Sequence, residues 1–404
     1  MTTALDMRTL RDAVAGTAAA FRCVTNYQPA GGPGDKVFPP TYEGGKYATE
    51  KRIDPATGEE RQCILLDSVQ SQANRMELAL LEAHRANRVA LPLLVTRFDQ
   101  DELPRKFTVS SLEAPHRIAD ALFRDSLLDG VIFRKSDTGR VLDTADTRSA
   151  AGLFGLCPTA LVFGLWDSTG PRGGLGAKFQ RALVSEIIGY DAVAGVKTSS
   201  RVDPARIMLG AGPLYRSESE REDAPDWMLD EGPTKLGSGR SPTGRPSEAN
   251  HGNVTPGISD GGFTISQARQ TTTLSLAVLR RLRFPLDGVA DSEHEADLAA
   301  RTTLAALGLA AGTLARSDVD LRSRCHLFAE GASAWQLLDR PGETPAEFTL
   351  DPDAALDLLS NAIEAATNAG LPWGGVTELT PSPDLVELVR RSQVLASEAE
   401  AEQD

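Results

Sequence analysis

Alternating and continuous runs of hydrophobic residues predict a set of strands along this chain. Residues 19–27 alternate apolar and polar side chains, and residues 63–66 form a short apolar run typical of a buried strand. Residues 47–60 are predicted to form a hairpin, because the segment DPATG at 54–58 is a turn signal. Further strands are predicted at 91–98, 130–135, 159–166, 263–284 and 320–329.

A helical period follows the strand at 63–66. Asp67 is predicted to cap this helix, with Gln70 three residues later completing a capping-box pattern. Apolar residues recur at helical spacing from Val69 to Ala83, and polar residues occupy another face. Further helices are predicted at 115–128, 177–189, 293–316 and 351–370, followed by a polar, acidic helix or tail.

Strands and helices mix without a strict βαβ alternation, which predicts an α+β fold class with large insertions on a compact sheet. Residues 28–45 form a long Gly/Pro-rich loop, and residues 210–262 a protruding, partly mobile insertion. The predicted division of the chain is therefore 1–209, 210–262, 263–380 and an acidic tail at 381–404.

The overall charge argues against a nucleic-acid partner, but its distribution changes that picture. The net charge is −14, with 56 acidic and 42 basic residues, whereas phosphates attract Lys and Arg. Residues 172–206 nevertheless contain six basic residues and three acidic ones, a basic island in an acidic chain. Its candidate phosphate-binding residues are Arg172, Lys178, Arg181, Lys197 and Arg201.

The start of the helix after residues 63–66 is a second candidate phosphate site. A helix N-terminus offers unpaired N–H groups and the positive end of a dipole. This helix start carries neutral hydrogen-bonding groups and one positive charge, contributed by Ser68, Gln70, Gln72, Asn74 and Arg75. An ordinary capped surface helix is the simpler interpretation. In the preceding loop, Lys36 and Lys46 lie near three aromatic residues that either contact bases or pack on the core: Phe38, Tyr42 and Tyr47.

No pattern in the sequence predicts catalysis, a metal site or a cofactor. The five histidines are spread along the chain, and no acid–base pair or nucleophile motif is evident. The Gly-rich turn at 170–178 fails as a P-loop, because Phe179 stands where Ser or Thr would hold magnesium. Such a basic turn suits either an anion or close packing.

Cysteine usage indicates a reducing compartment. The four cysteines form no C-x-x-C pair, and the sequence shows no signal peptide and no apolar run judged long enough to span a bilayer. We therefore expect a soluble, cytoplasmic protein with no membrane partner.

The order of these motifs resembles the backbone subunit of type I CRISPR surveillance complexes, the seventh Cas family of the RAMP superfamily, in its divergent I-U (now I-G) version. Gly34-Asp35-Lys36 precedes a helix start, 68–75, similar to the family's SSQ-x-x-KR pattern. Residues 160–166 resemble the family's ALFGRM strand, and 178–190 and 197–201 its next helix and extended segment. The resemblance covers about residues 19–330. It departs from the pattern at 67–68 and 73–74, where a second Ser and a Lys are usual.

The resemblance implies an RRM-like (ferredoxin-like) palm at 1–209, a thumb at 210–262 and a return to the palm sheet at 263–380. It implies a non-catalytic subunit that binds CRISPR RNA through Lys36, Lys46 and the two candidate sites above. Copies would polymerise along the guide into the helical filament of a Cascade complex for antiviral defence. The other implied partners are the large subunit, a fused Cas5/Cas6-type subunit and, through guide pairing, target DNA.

Two alternatives remain open. In related type III backbone subunits a loop Asp cleaves target RNA, and Asp35 is the matching position here, which would make the chain a RAMP-type endoribonuclease. A third hypothesis is an interaction protein that acts without RNA.

Overall fold

The computed structural model describes residues 3–168, 176–217, 224–237, 242–286, 293–317, 319 and 321–401. Helices and strands intermix, and the predicted α+β class is confirmed. The RRM-like arrangement within this class stays a prediction.

Strands and helices alternate irregularly along the chain. The strands are β1 (Thr3–Ala4), β2 (Ala20–Pro29), β3 (Thr41–Tyr42), β4 (Lys46–Tyr47), β5 (Thr49–Ile53), β6 (Glu60–Asp67), β7 (Leu93–Phe98), β8 (Phe107–Ser110), β9 (Ser126–Leu128), β10 (Val131–Ile132), β11 (Leu165–Trp166), β12 (Lys178–Phe179), β13 (Leu183–Tyr190), β14 (Val193–Arg201), β15 (Tyr215–Arg216), β16 (Trp227–Met228), β17 (Val254–Thr264), β18 (Gln267–Ser275), β19 (Leu327–Ala329), β20 (Trp335–Leu338), β21 (Ala346–Thr349) and β22 (Val376–Pro381). The helices are α1 (Met7–Ala15), α2 (Val69–Arg85), α3 (Ala121–Arg124), α4 (Val141–Thr144), α5 (Ala151–Leu156), α6 (Thr159–Phe163), α7 (Leu276–Leu279), α8 (His294–Arg316), α9 (Pro352–Asn368) and α10 (Pro383–Ala401).

The chain forms two compact units, of which the first comprises Met1–Asp99, Phe107–Val193 and Phe263–Leu385. Its larger sheet has the order β1-β21-β20-β2-β18-β13-β6-β5, with β19 also paired to β2. Every pairing from β20 to β5 is antiparallel. A second sheet has the order β10-β9-β22-β7-β8.

Helix α8 fills the core of the first unit and packs against α1, α2, α9 and β18. Its small residues let it approach the sheet closely. A Cβ on Gly308 would lie 2.9 Å from Leu274 Cδ1, and one on Gly312 would lie 3.1 Å from Trp335. The neighbouring side chains would have to move to admit either Cβ, so glycine at both positions permits this close packing.

Helix α8 is also long and apolar enough, by length and composition, to cross a membrane. The expectation that no segment has these properties was wrong. Because 89% of its most apolar window is buried inside the protein, α8 has the burial of a core helix.

The second unit comprises Gln100–Lys106, Ala194–Gly262 and Val386–Asp404. It contains the two-stranded ribbon β14-β17 and the short pair β15-β16. Gln393 links two of its segments, accepting from Arg105 N and donating to Arg105 O, both at 2.9 Å. Its longest segment, Ala194–Gly262, begins sixteen residues before the insertion predicted at 210–262.

The segments at 159–166 and 177–189 exchange their predicted structures. The predicted strand is helix α6 followed by β11, since a continuous apolar run does not distinguish a buried helix from a strand. The predicted helix consists of β12 and β13. Leu183, Ser185 and Ile187 of β13 are buried at every second position, and pairing with β18 and β6 fixes this strand period. It prevails over the helical spacing of four residues that Phe179, Leu183 and Ile187 also satisfy.

Four other predicted elements are shorter than expected. The helix predicted at 115–128 is only α3, because Arg117 adopts a left-handed conformation with φ 51°. The strands predicted at 130–135 and 320–329 are limited to β10 and β19, and β18 ends in the short helix α7 rather than continuing to 284. The remaining predicted strands and helices are confirmed within a few residues.

Candidate nucleic-acid interface

The N-terminus of α2 is capped by Ser68, whose Oγ accepts a hydrogen bond from Ser71 N at 3.2 Å. The predicted capping residue, Asp67, was therefore wrong by one position. Gln70 and Asn74 are exposed on the outer face of the first two turns. The start of α2 thus presents neutral hydrogen-bonding groups outward, as the sequence predicted.

Asp67 is fully buried and organises the charged groups around this helix start. Its Oδ2 accepts from Gln72 Nε2 at 2.7 Å and from Arg75 Nε at 2.9 Å. Its Oδ1 accepts from Arg322 Nη2 at 3.3 Å. One buried carboxylate therefore positions two guanidinium groups, those of Arg75 and Arg322, whose side chains are 30% and 27% exposed.

The segment 321–325 lies against the start of α2. Arg75 Nη2 donates to Leu321 O at 2.7 Å, and Arg322 Nη1 donates to Leu66 O at 2.7 Å. Sequence analysis missed Arg322 because this segment was taken as part of a strand. The signal that could have drawn attention to it is a pair of arginines separated by a single residue, Arg322 and Arg324.

The same segment also contacts the early Gly-rich loop. Phe38 N donates to Arg324 O at 2.9 Å, and the Arg324 guanidinium carbon lies 4.0 Å from the Phe38 ring centroid. Val37 is paired with Phe263 of β17, so the loop is fixed to this strand just after Lys36. The loop and the helix start, 30 residues apart in sequence, therefore both contact the segment 321–325.

These three segments form a basic surface, which we call the α2 surface. Its segments are 35–38, 67–75 and 321–325, and they contain four cations and two carboxylates, of which Asp67 is buried. The residues that face outward or are half-buried on it are Asp35, Lys36, Phe38, Ser68, Val69, Gln70, Ser71, Asn74, Arg75, Arg322, Ser323 and Arg324. Such a mixture of cations and neutral donors suits a nucleic-acid backbone.

Gln72 does not belong to this surface, because only 3% of it is exposed. Its Oε1 accepts from Gln270 Nε2 at 2.6 Å and from Ser185 Oγ at 2.9 Å. Gln270 in turn accepts from Tyr27 at 2.8 Å. The prediction of Gln72 as an RNA contact is thus corrected: it belongs to a buried polar network that links Asp67 to the central strands.

Arg181 lies beside the first turn of α2 but is directed into the protein. Its Nε donates to Phe163 O at 3.0 Å and its Nη1 approaches Val69 O at 3.5 Å. Burial lowers the pKa of Arg181, and the neighbouring charge of Arg117 lowers it further. This arginine supplies positive potential near the helix start while its guanidinium supports the backbone.

A buried ion pair lies deeper along α2. Arg117 donates to Glu77 through Nε at 2.6 Å and Nη2 at 2.7 Å. Burial raises the pKa of Glu77 to about 7, opposed by the charge and hydrogen bonds of Arg117.

Lys178 lies on β12, opposite the exposed Trp166 of β11. Its Nζ is 5.6 Å from the Trp166 ring centroid, and Trp166 is 62% exposed. Sequence analysis missed Trp166 because it assigned this residue to a buried strand. Arg172 lies outside the described residues.

The remaining predicted residues belong to segments other than those of the α2 surface. Lys197 and Arg201 are on β14 in the second unit, so the basic island of the sequence is divided between the two units. Lys197 is exposed, whereas Arg201 donates to His251 O at 2.8 Å and Gly252 O at 3.0 Å. Lys46 is exposed on β4.

The aromatic residues of the early loop have different surroundings. Tyr42 is 46% exposed, whereas Tyr47 packs edge-on against Phe263 with ring centroids 5.0 Å apart. Asp35 is exposed and its Oδ1 accepts from Lys36 N at 2.8 Å. Among the described residues, no group of three or more His, Cys, Asp or Glu side chains is placed to hold a metal ion.

Residues 21–194 match the family model described as CRISPR-associated protein GSU0053 (Cas_GSU0053). The match supports a CRISPR-related role. It takes in β2, the early loop, α2 and β11 to β13, but not the segment 321–325. No curated protein matches the chain.

Proposed function

We propose that this chain is a non-catalytic subunit that binds CRISPR RNA and oligomerises along it to form the backbone of a type I (I-U/I-G) surveillance complex. Its partners would be further copies of itself, the large subunit, the fused Cas5/Cas6-type subunit and, through guide pairing, target DNA. It would act in the cytoplasm in antiviral defence.

The α2 surface carries this proposal. Three segments distant in sequence combine exposed or half-buried cations with the neutral groups of Ser68, Gln70 and Asn74. Cations together with neutral donors suit contacts to phosphate and ribose, which fix register without selecting a base. In guide-dependent complexes, base pairing supplies sequence recognition while protein holds the backbone.

Other predicted residues extend this proposal. Lys46 and the Lys178–Trp166 pair would offer a cation and a stacking surface to neighbouring nucleotides. The ribbon β14-β17, with the exposed Lys197, would serve as the thumb, and the larger sheet as the RRM-like palm.

The proposal is tested by co-expressing the chain with its CRISPR array. We expect the purified protein to carry RNA, with a high ratio of absorbance at 260 nm to that at 280 nm, and to elute as an oligomer. Arg75→Ala combined with Lys178→Ala should reduce the retained RNA, while Arg391→Ala, an exposed arginine on α10, should not. An RNA-free monomer would favour the interaction protein that acts without RNA.

Asp35 is an exposed residue of the α2 surface, and this exposure supports a second candidate function, cleavage of target RNA. The assembled complex is incubated with labelled complementary RNA and a divalent metal ion. Regular cleavage that is lost in Asp35→Asn but kept in Asp137→Asn, another exposed carboxylate, would establish this function in place of the non-catalytic one.

A further inference from the structure

A small polar cavity of about 180 Å³ lies at the C-terminal end of α8, within the first unit. Hydroxyl groups dominate its lining. Thr25 and Ser333 are hydrogen-bonded to each other at 2.7 Å, and Thr313 Oγ1 accepts from Trp335 Nε1 at 3.1 Å. The described residues that line it include no carboxylate.

Arg316, the last residue of α8, supplies a positive charge to this cavity. Its guanidinium carbon lies 5.1 Å from the Trp335 ring centroid, and its Nη1 is buried without a hydrogen-bond partner. Its contact with Thr313 Oγ1, at 3.5 Å, is long. No Asp or Glu in the described part of the chain forms an ion pair with it.

In the described part of the chain Arg316 is thus a half-buried cation without a counter-ion, which is unfavourable because buried charges in proteins are normally paired. A cation–π contact with Trp335 compensates part of this cost. The positive charge of Arg316 lies close enough to Tyr27 and Cys23 to oppose the rise that burial causes in the pKa of both groups.

From this arrangement we infer that the cavity is a binding site for a phosphate group, held by the Arg316 guanidinium and by the hydroxyl groups of Thr25 and Ser333. Arginine and hydroxyl donors are the ordinary protein ligands of phosphate oxygens. The volume accommodates a single phosphate group but is below the usual size of pockets for larger ligands, about 300 Å³ and above. The group would be inorganic phosphate or the terminal phosphate of a longer molecule.

A larger cavity in the first unit offers a contrast and a control. It has a volume of about 460 Å³ and is lined by Arg8 and Arg340 together with Asp12 and Asp339. Because carboxylates accompany its arginines, we expect no comparable affinity for phosphate there.

The test titrates the full-length chain with sodium phosphate, at constant pH and ionic strength, while thermal unfolding and heat of binding are measured. A phosphate concentration ten times Kd should raise Tm by about 2 °C. Arg316→Gln should weaken binding at least about tenfold, whereas Arg8→Gln should leave it unchanged. Short RNA oligonucleotides with and without a 5′-phosphate distinguish a free phosphate from a terminal one.

Two further measurements make the result decisive. Ser333→Ala removes one hydroxyl and keeps the charge, so it should weaken phosphate binding by a smaller factor even if Arg316→Gln does not fold. The inference is overturned if neither phosphate nor phosphorylated RNA binds the wild-type chain, or if binding is the same in wild type, Arg316→Gln and Ser333→Ala.

Discussion

Removing Arg322 and Arg324 gives the sharpest test of the α2 surface. Arg324 is exposed, and in the described part of the chain it has no carboxylate partner, so Arg324→Ala removes a charge together with the stacking on Phe38. Arg322 is tied to Asp67 and Leu66 O. Its replacement therefore also loosens the segment 321–325, and the two variants are compared separately and together.

The expected magnitude follows from counter-ion release. For single-stranded nucleic acid each phosphate contact contributes about −0.7 to the slope of log K against log salt concentration. Arg324→Ala should therefore reduce the slope by about 0.7 and the affinity at 0.1 M salt about fivefold. The double variant should reduce the slope by about 1.4 and the affinity about 25-fold.

The assay is fluorescence anisotropy of labelled guide RNA at several sodium chloride concentrations, with Tm measured for every variant. Arg324→Lys should keep the slope, because it keeps the charge while losing the stacking on Phe38. Arg340→Ala, at an exposed arginine beside Glu343, should behave as wild type. An unchanged slope in a double variant whose Tm is also unchanged would refute the α2 surface as an RNA contact.

Three further predictions concern two buried polar groups and a helix cap. Gln72→Ala should lower the free energy of unfolding by about 3 kcal/mol in urea titrations, because it leaves several buried partners unsatisfied. The control variant Gln70→Ala should stay within about 0.5 kcal/mol of wild type. Equal effects of the two substitutions would contradict the assignment of Gln72 to the core. Since burial raises the pKa of Glu77 from 4.5 to about 7, this group stabilises the fold fully below pH 4.5, and about 3 kcal/mol of that stabilisation should be lost as pH rises to 7. Urea titrations across this range should show a flatter profile for Glu77→Gln, and parallel profiles would contradict the shift. Asp351→Ala removes the cap that accepts from Ala354 N at 2.9 Å, so it should cost about 1 kcal/mol, while Asp351→Asn should cost less.

Secondary structure was predictable wherever one signal was strong. Asp351-Pro352 at the start of α9 and Gly370 after its end are local start and stop signals, and the helix lies where they predict. Strand β13 was mispredicted because its apolar residues satisfy both a helical and a strand period, and pairing with β18 and β6, invisible in the sequence, selects the strand.

The candidate site was predictable only in part. The sequence placed Ser68, Gln70 and Asn74 on a helix start, since a cap and a helical period are local properties. It could not place Arg322, because this residue reaches the site only through long-range contacts with Leu66 and Asp67. Nor could it separate Gln72 from Gln70, because the neighbours that bury Gln72 come from β13 and β18.

Asp67 is involved in both the correct and the incorrect predictions about this site, because its hydrogen bonds organise the α2 surface. A carboxylate at the N-terminal end of a helix would ordinarily cap it and weaken the local attraction for phosphate. Here Ser68 takes the capping role, and Asp67 turns inward to hold Arg75 and Arg322. The negative charge is thereby buried between two cations, whose partly exposed guanidinium groups leave a net positive charge at the surface. The segment 321–325 thus adds a second guanidinium group, that of Arg322, beside the start of α2.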